Sequence, residues 1–378
     1  MGVCLIRRTP SEGEAFGGYM EKVFIAPADG AAMDLARARQ EALAKPPHSL
    51  GKLEDISVKL AGITGKLFNP VEKRRVLIFS SDNGIVREGV ASAPQSVTLS
   101  QTINFTRGLT GVAVLAKHFG AELDVMDVGI DAEFSRPGVR NCKIARGTRN
   151  FAVEPAMTRA QCERALEIGI EAARRAKQDG MDIVGVGEMG IGNTSTSSAV
   201  LSALLGLSAA DTVSRGGGIN DAAYLKKMRL IDEAIARYAP DPEDPVDVLT
   251  KVGGFDIAAM CGAFLGAAAE RLPVVIDGFI SAVAALCAFR MNRLAADYMF
   301  PSHASREKGY ALAMDAMGLA PMLLLDMRLG EGSGCPIAFE IIAAAESVIQ
   351  NMATFQEAAI DDGYLTEIRA SRRFQGEA

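Results

Sequence analysis

"RVLIFSSDNG", residues 75–84, is the stretch on which the reading of the fold turns. Val76 to Phe79 is an unbroken apolar run, rich in residues that favour strands, and it stops at a serine pair followed by the turn-forming Asp82-Asn83-Gly84. A strand with one wet face alternates apolar and polar residues. This one does not alternate, so both its faces are covered, as in a parallel sheet flanked by helices. The same grammar recurs outward along the chain in "ELDVMDVG" (122–129), "DIVGVGE" (182–188), "PVVIDG" (273–278) and "PMLLLDM" (321–327). Most of these runs are separated by Ala-rich helical stretches at 98–119, 158–178, 193–206, 221–238 and 256–270. Strands alternating with helices predict an α/β protein with a doubly wound, mostly parallel sheet.

Two amphipathic helices precede the first strand, one over 32–44 and one after the break at Pro46-Pro47. A C-terminal helix from Pro336 is long enough to pack back on them. The expected organisation is a small helical domain built from 20–70 plus 336–378, a large α/β domain over 71–335, and a disordered extension over the Gly-rich, polar residues 1–19.

With 378 residues, of which 49% are hydrophobic and 23% charged, the chain has ample material for a core. A net charge of −6 and the absence of long Lys/Arg blocks argue against a nucleic-acid partner. Cys4, Cys142, Cys162, Cys261, Cys287 and Cys335 are scattered, without a C-x-x-C pair or a His/Cys cluster. They read as reduced cysteines of a cytoplasmic protein, with no metal site expected. The apolar stretch "IAAMCGAFLGAAA" at 257–269 is too short to span a membrane, and the N-terminus lacks the form of a signal peptide. The chain therefore reads as soluble and intracellular.

The apolar runs end in acids: Asp82, Asp127, Glu188, Asp277, then Asp326 with Glu331 close behind. In an open parallel sheet the C-terminal strand ends share one edge, and ligands bind in the crevice there. The fourth of these acids is followed by Gly278, and Glu331 stands inside Gly-Glu-Gly-Ser-Gly, a composition that also suits a solvated turn.

"VGVGEMGIGNT", residues 184–194, literally contains the G-x-G-x-x-G dinucleotide fingerprint at Gly185, Gly187 and Gly190. The fingerprint expects a second strand ending in an acid about 20 residues on. The segment before Asp211 is helical instead, and no Lys-Ser/Thr follows to make a P-loop. What remains is a helix start at Gly190, Gly192, Asn193 and Thr194, suited to one phosphate, with a plain Asn/Thr cap as the alternative. "SRGGGIND" at 214–221 precedes a helix carrying Lys226 and Lys227, and a lysine there could face the same phosphate or simply solvent. "PSHASREKG" at 301–309 adds His303, without His or Cys at ligand spacing, and Ser305.

Taken together, "PPHSLGKLE", "DNGIVREGVASAPQSVT", "GEMGIGNT", "KVGGFD", "VVIDGFIS", "PSHASREKG" and "RLGEGSG" occur in an order that resembles the nicotinate-nucleotide:dimethylbenzimidazole phosphoribosyltransferases, over roughly residues 25–355. The resemblance implies a homodimer with a Rossmann-like sheet and no cofactor besides the substrates. The implied reaction moves ribose 5-phosphate from nicotinate mononucleotide to 5,6-dimethylbenzimidazole, giving α-ribazole 5′-phosphate and nicotinate. It carries Glu331 over as general base, and Gln95 and Leu329, with Met189, as the acceptor pocket. Glu188, Gly190, Gly192, Asn193, Thr194, Gly216, Gly217, Lys227 and Ser305 fall to the nucleotide and phosphate region, and Asp277 to the ribose. The chain departs from the family pattern at His48, at Asn83 and in "SRGGGIND". Relatives that attach purines, other benzimidazoles or phenolic compounds leave another aromatic acceptor open. A dinucleotide-dependent oxidoreductase and a non-catalytic nucleotide-binding subunit are the competing classes.

Overall fold

The computed structural model of the chain describes residues 23–215 and 218–366, so the extension expected over 1–19 lies outside the described residues. Its frame is a six-stranded sheet: β1 (Arg74–Ser81), β2 (Ala121–Gly129), β3 (Val139–Asn141), β4 (Ile183–Met189), β5 (Val274–Ile276) and β6 (Met299–Pro301). All neighbours pair in parallel, in the order β3-β2-β1-β4-β5-β6. Val76 to Phe79 of β1 are completely buried, as their lack of alternation requires. The chain winds outward from β1 to β3, then returns to lay β4 on the other side of β1. The crevice of a doubly wound sheet opens at that reversal. Phe79 stands level with Glu188 and Ser80 with Met189, so β1 and β4 deliver their C-terminal loops to the same height.

The run at 321–327 is not a strand. Only Leu323 bridges, to His303, while Leu324 is 85% exposed. The edge position is filled instead by β6, whose three residues end on a proline and give no strand signal of their own. The helical stretch at 98–119 is two helices, Ser96–Arg107 and Gly111–His118, parted where Gly108 adopts a left-handed φ of 72°. That break creates a helix start, capped by Thr110, under the Glu331 loop.

The apolar stretch at 257–269 lies within the helix Phe255–Ala269, which is buried all round and packs on the helix Arg159–Gln178. No helix among the described residues is long and apolar enough to cross a membrane. The helices Gly30–Ala42, Lys52–Thr64 and Gly334–Asn351 pack on one another. There Ala32, Ala36, Val58, Ala61 and Ile349 form an apolar cluster separate from the main core. Arg39 ties two of these helices by donating to the carbonyls of Ile349 (3.1 Å) and Met352 (3.0 Å).

Candidate active site

Glycines in β4 decide how the site is assembled. A Cβ on Gly187 would lie 2.6 Å from both the Glu331 carbonyl oxygen and the Gly332 nitrogen, and one on Gly185 would lie 2.6 Å from Cys335 Sγ. The glycines that mimic a dinucleotide fingerprint therefore exist so that the 331–335 segment can lie directly on the strand. That segment turns through three consecutive left-handed residues, Gly330 (φ 84°), Glu331 (65°) and Gly332 (84°). For the glutamate this costs about 1–2 kcal/mol, and its surroundings hold it there. Glu188 at the end of β4 accepts a hydrogen bond from the Glu331 backbone N–H and another from the Asn193 side chain. Asp277 after β5 accepts from the N–H groups of Gly332 (3.0 Å) and Gly334 (2.6 Å).

The result is a cleft of about 290 Å³ over the β4–β6 strand ends. At one end Glu331 is only 6% exposed. Its carboxylate accepts from Gln101 Nε2 (3.0 Å) and from the N–H of Val112 (3.3 Å), in the first turn of the helix Gly111–His118. Burial raises its pKa above the ordinary range, and the donors Val112, Gln101 and Gly111 oppose that rise. Burial pushes Glu188 up to about 8, with Asp256 and Asp277 adding to the effect. It likewise pushes Asp277 up to about 7 against its backbone donors. Asp256, fully buried behind the cleft and bonded to Asn83 (3.1 Å), rises to about 6 for the same reason.

At the other end the helix Asn193–Leu205 begins directly after β4, with Gly192 (φ 95°) at its cap. Lys227 is 2% exposed and donates to Thr194 Oγ1 (2.9 Å). Burial pulls its pKa down to about 8, with the Glu307 charge opposing. A buried cation with no bonded carboxylate among the described residues, placed at a helix N-terminus in a cleft, suits a phosphate.

Glu331, Leu329, Met189, Glu188, Gly190, Gly192, Asn193, Thr194, Lys227, Asp277 and Ser305 all line this one cleft. Gly216 and Gly217 lie outside the described residues. Gln95 does not line the cleft. It caps the helix Ser96–Arg107, donates to Asp131 (3.2 Å) and faces Asp82. Of the strand-end acids, Asp82 and Asp127 also stay out of the cleft, accepting backbone N–H groups of the loop at 129–131. Asp326 is exposed. Sequence reasoning missed Gln101, whose signal was slight: Thr98, Gln101, Thr102 and Phe105 share one helix face, three of them polar where a core-facing helix carries apolar groups. Arg215 and Arg328, which also line the cleft, gave no signal.

Comparison with known proteins gives the family to which the chain belongs. A family model described as "Phosphoribosyltransferase" matches residues 25–360, which places the chain in that class of enzyme. The chain is 56% identical over 334 residues to the nicotinate-nucleotide–dimethylbenzimidazole phosphoribosyltransferase of Clostridium perfringens, covering 88% of this chain and 92% of that one. To the enzyme of that name from Geobacter sulfurreducens it is 46% identical over 340 residues, 90% and 97% of the two chains. The crystal structure of the Thermus thermophilus enzyme superimposes with a TM-score of 0.84 at 38% identity, over 89% of this chain and all (100%) of that one. The chain belongs to the nicotinate-nucleotide–dimethylbenzimidazole phosphoribosyltransferase family.

Proposed function

We propose that this chain transfers ribose 5-phosphate from nicotinate mononucleotide to 5,6-dimethylbenzimidazole, with Glu331 as general base. The observation that carries this is the carboxylate itself: buried, held by Gln101 and Val112, and raised in pKa at the open end of the cleft. The leaving nicotinate is a pyridinium on C1′ and departs without protonation. The attacking ring nitrogen of the benzimidazole needs help, because the other ring nitrogen must lose its proton as the new C–N bond forms. Glu331 accepts that proton, assistance worth about 10²–10⁴-fold. Attack on the face opposite the leaving group turns the β-nucleotide into the α-product. Lys227, Thr194 and the start of the helix Asn193–Leu205 hold the phosphate, with Ser305 lining the same cleft; the family resemblance assigns Gly216 and Gly217 to that task as well. Asp277 and Glu188 hold the base loop and face the ribose. Leu329 and Met189 wall the acceptor, and Gln95 acts from behind the acceptor side.

The same reading takes the enzyme as a cytoplasmic homodimer. Cys162, Cys261, Cys287 and Cys335, buried and free among the described residues, suit a reducing compartment, and the exposed leucines of the 324–329 segment suit a covered face in the assembly. The three helices around Ile349 are read as a small domain from 20–70 plus 336–378, beside a large one over 71–335. Purified protein incubated with nicotinate mononucleotide and a panel of benzimidazoles, purines and phenols, with products weighed by mass spectrometry, tests the reaction. The expected result is free nicotinate with the ribosyl phosphate of dimethylbenzimidazole as main product. Nicotinate released without any aromatic adduct would overturn it.

A further inference from the structure

Ser302 and His303 follow β6 directly and are both buried, His303 to 2% exposure. Ser302 Oγ lies 2.9 Å from the carbonyl oxygen of Asp277 and 3.0 Å from His303 Nδ1. A hydroxyl has one proton, and a carbonyl can only accept. The Ser302 proton therefore goes to Asp277, and toward the imidazole the same oxygen can only accept. Nδ1 must carry the ring proton, which leaves Nε2 of the neutral ring as a bare acceptor. Burial keeps the ring neutral by lowering its pKa.

The Nδ1 edge is wedged against Gly334, where a Cβ would collide with both His303 and Ser302 Oγ (2.6 Å). The opposite edge faces Gly278: Nε2 is 3.8 Å from the place of a Cβ there, and Ser305 Oγ is 3.9 Å from it. Gly278, His303 and Ser305 all line the cleft. Among the described residues nothing donates to Nε2. An acceptor on a ring only 2% exposed, whose opening to solvent is the ligand cleft, is cut off from water once a ligand fills that cleft, and it then needs a donor from the ligand. Ionised phosphate and the nicotinate carboxylate only accept, so the donors a nicotinate mononucleotide offers are its ribose hydroxyls.

We infer that His303 Nε2 accepts a hydrogen bond from a ribose hydroxyl of the bound nucleotide and thereby selects ribonucleotides over deoxyribonucleotides. This rests on the nucleotide occupying the cleft as proposed above. His303 is a specificity residue here, distinct in role from Glu331.

The test is a set of calorimetric titrations, without acceptor, of nicotinate mononucleotide and its 2′-deoxy and 3′-deoxy analogues into wild type, His303→Asn and His303→Gln. Asparagine keeps a donor toward Ser302 but has nothing at the Nε2 position, whereas glutamine can set its amide oxygen there. Wild type should bind one deoxy analogue about 10- to 100-fold more weakly than the parent, the cost of an unpaired buried acceptor. His303→Asn should bind the two alike, and His303→Gln should recover the preference. Which analogue suffers identifies the hydroxyl. Because each preference is a ratio on one protein, a lower folded fraction cancels. Equal binding of all three ligands by wild type, unchanged discrimination in His303→Asn, or no recovery in His303→Gln would overturn the assignment. Turnover with dimethylbenzimidazole is assayed alongside: discrimination without turnover would strike the proposed reaction and leave the role of His303 standing.

Discussion

The two ends of the cleft are built differently. The nucleotide end consists of strand ends and helix starts: β4 into the helix Asn193–Leu205, β5 into the helix Phe279–Met291, with Lys227, Asp277 and His303 all buried around them. Its polar groups are fixed by backbone geometry. The end proposed for the acceptor is walled by irregular chain at 328–331, where Leu329 is 59% exposed. Only Glu331 is held there as firmly as anything at the other end. On the proposed reading the enzyme is strict about the nucleotide and about where the base stands, and lax about the ring that is attacked.

The largest expected effect breaks chemistry from binding. Glu331→Gln keeps the shape and the hydrogen bond from Val112, and its NH2 can be met by the Gln101 side chain turned to accept, but it cannot take the proton, so kcat should fall by about 10²–10⁴-fold. Nucleotide affinity, measured by calorimetry, should stay nearly constant. In wild type the rate should rise with pH through a limb above the ordinary glutamate range, because burial raises this carboxyl, and in Glu331→Gln that limb should vanish. A comparable loss of nucleotide affinity would mean that the two ends are one unit.

Lys227→Met tests the nucleotide end alone. Loss of a charge-assisted phosphate contact should weaken the mononucleotide by about 10- to 100-fold, with acceptor KM little changed. The same substitution has an opposite effect on the ligand-free fold. Burial lowers the folded pKa of Lys227 to about 8, below the ordinary lysine value of 10.5. Between those values the unfolded chain holds more protons, so the penalty is full below pH 8 and is relieved as pH rises toward 10.5. Denaturation of the free protein at about pH 7 and about pH 10, on either side of the folded pKa, should show Lys227→Met gaining stability at the lower pH and losing that advantage at the higher. A variant less stable than wild type at neutral pH would show that Lys227 serves the fold rather than the ligand.

The contrast between the ends also explains what could be read from the sequence. The strands β1, β2, β4 and β5 were legible because burial on both faces leaves uninterrupted apolar runs, and the cleft residues that follow β4 and β5 were legible because they hang on those strands. Residues 321–327 defeated the same rule: Leu324 and Leu325 are exposed and Leu323 makes only a single bridge to His303, so this apolar run lies on the surface and does not enter the sheet. Gly185 and Gly187 read as a dinucleotide fingerprint, yet their cause is the 331–335 segment, distant in the chain and brought close only by the fold. Gln101 was hidden for the same reason, since its partner Glu331 belongs to a distant loop. The base itself could be suspected from Gly-Glu-Gly-Ser-Gly, but a solvated turn has the same composition, and only its burial separates the two.

The smallest expected effect sharpens the comparison at its weak side. Leu329 sits on Gly111, where a Cβ would approach its Cδ2 to 2.5 Å, so the side chain has a fixed seat although much of it faces solvent. An apolar wall contributes about 1–3 kcal/mol for each carbon it encloses fully, and one this open gives the lower end of that range. Wild type should therefore prefer dimethylbenzimidazole over benzimidazole in kcat/KM by no more than about 100-fold. Leu329→Ala should shrink that preference by only about threefold, as fits partial loss of one wall. Competition between the two acceptors at equal concentration reads the ratio directly, independent of enzyme concentration. A change of a hundredfold or more would show that Leu329 closes on the ring when it binds, and the acceptor end would then be as strictly built as the nucleotide end, only later in the cycle.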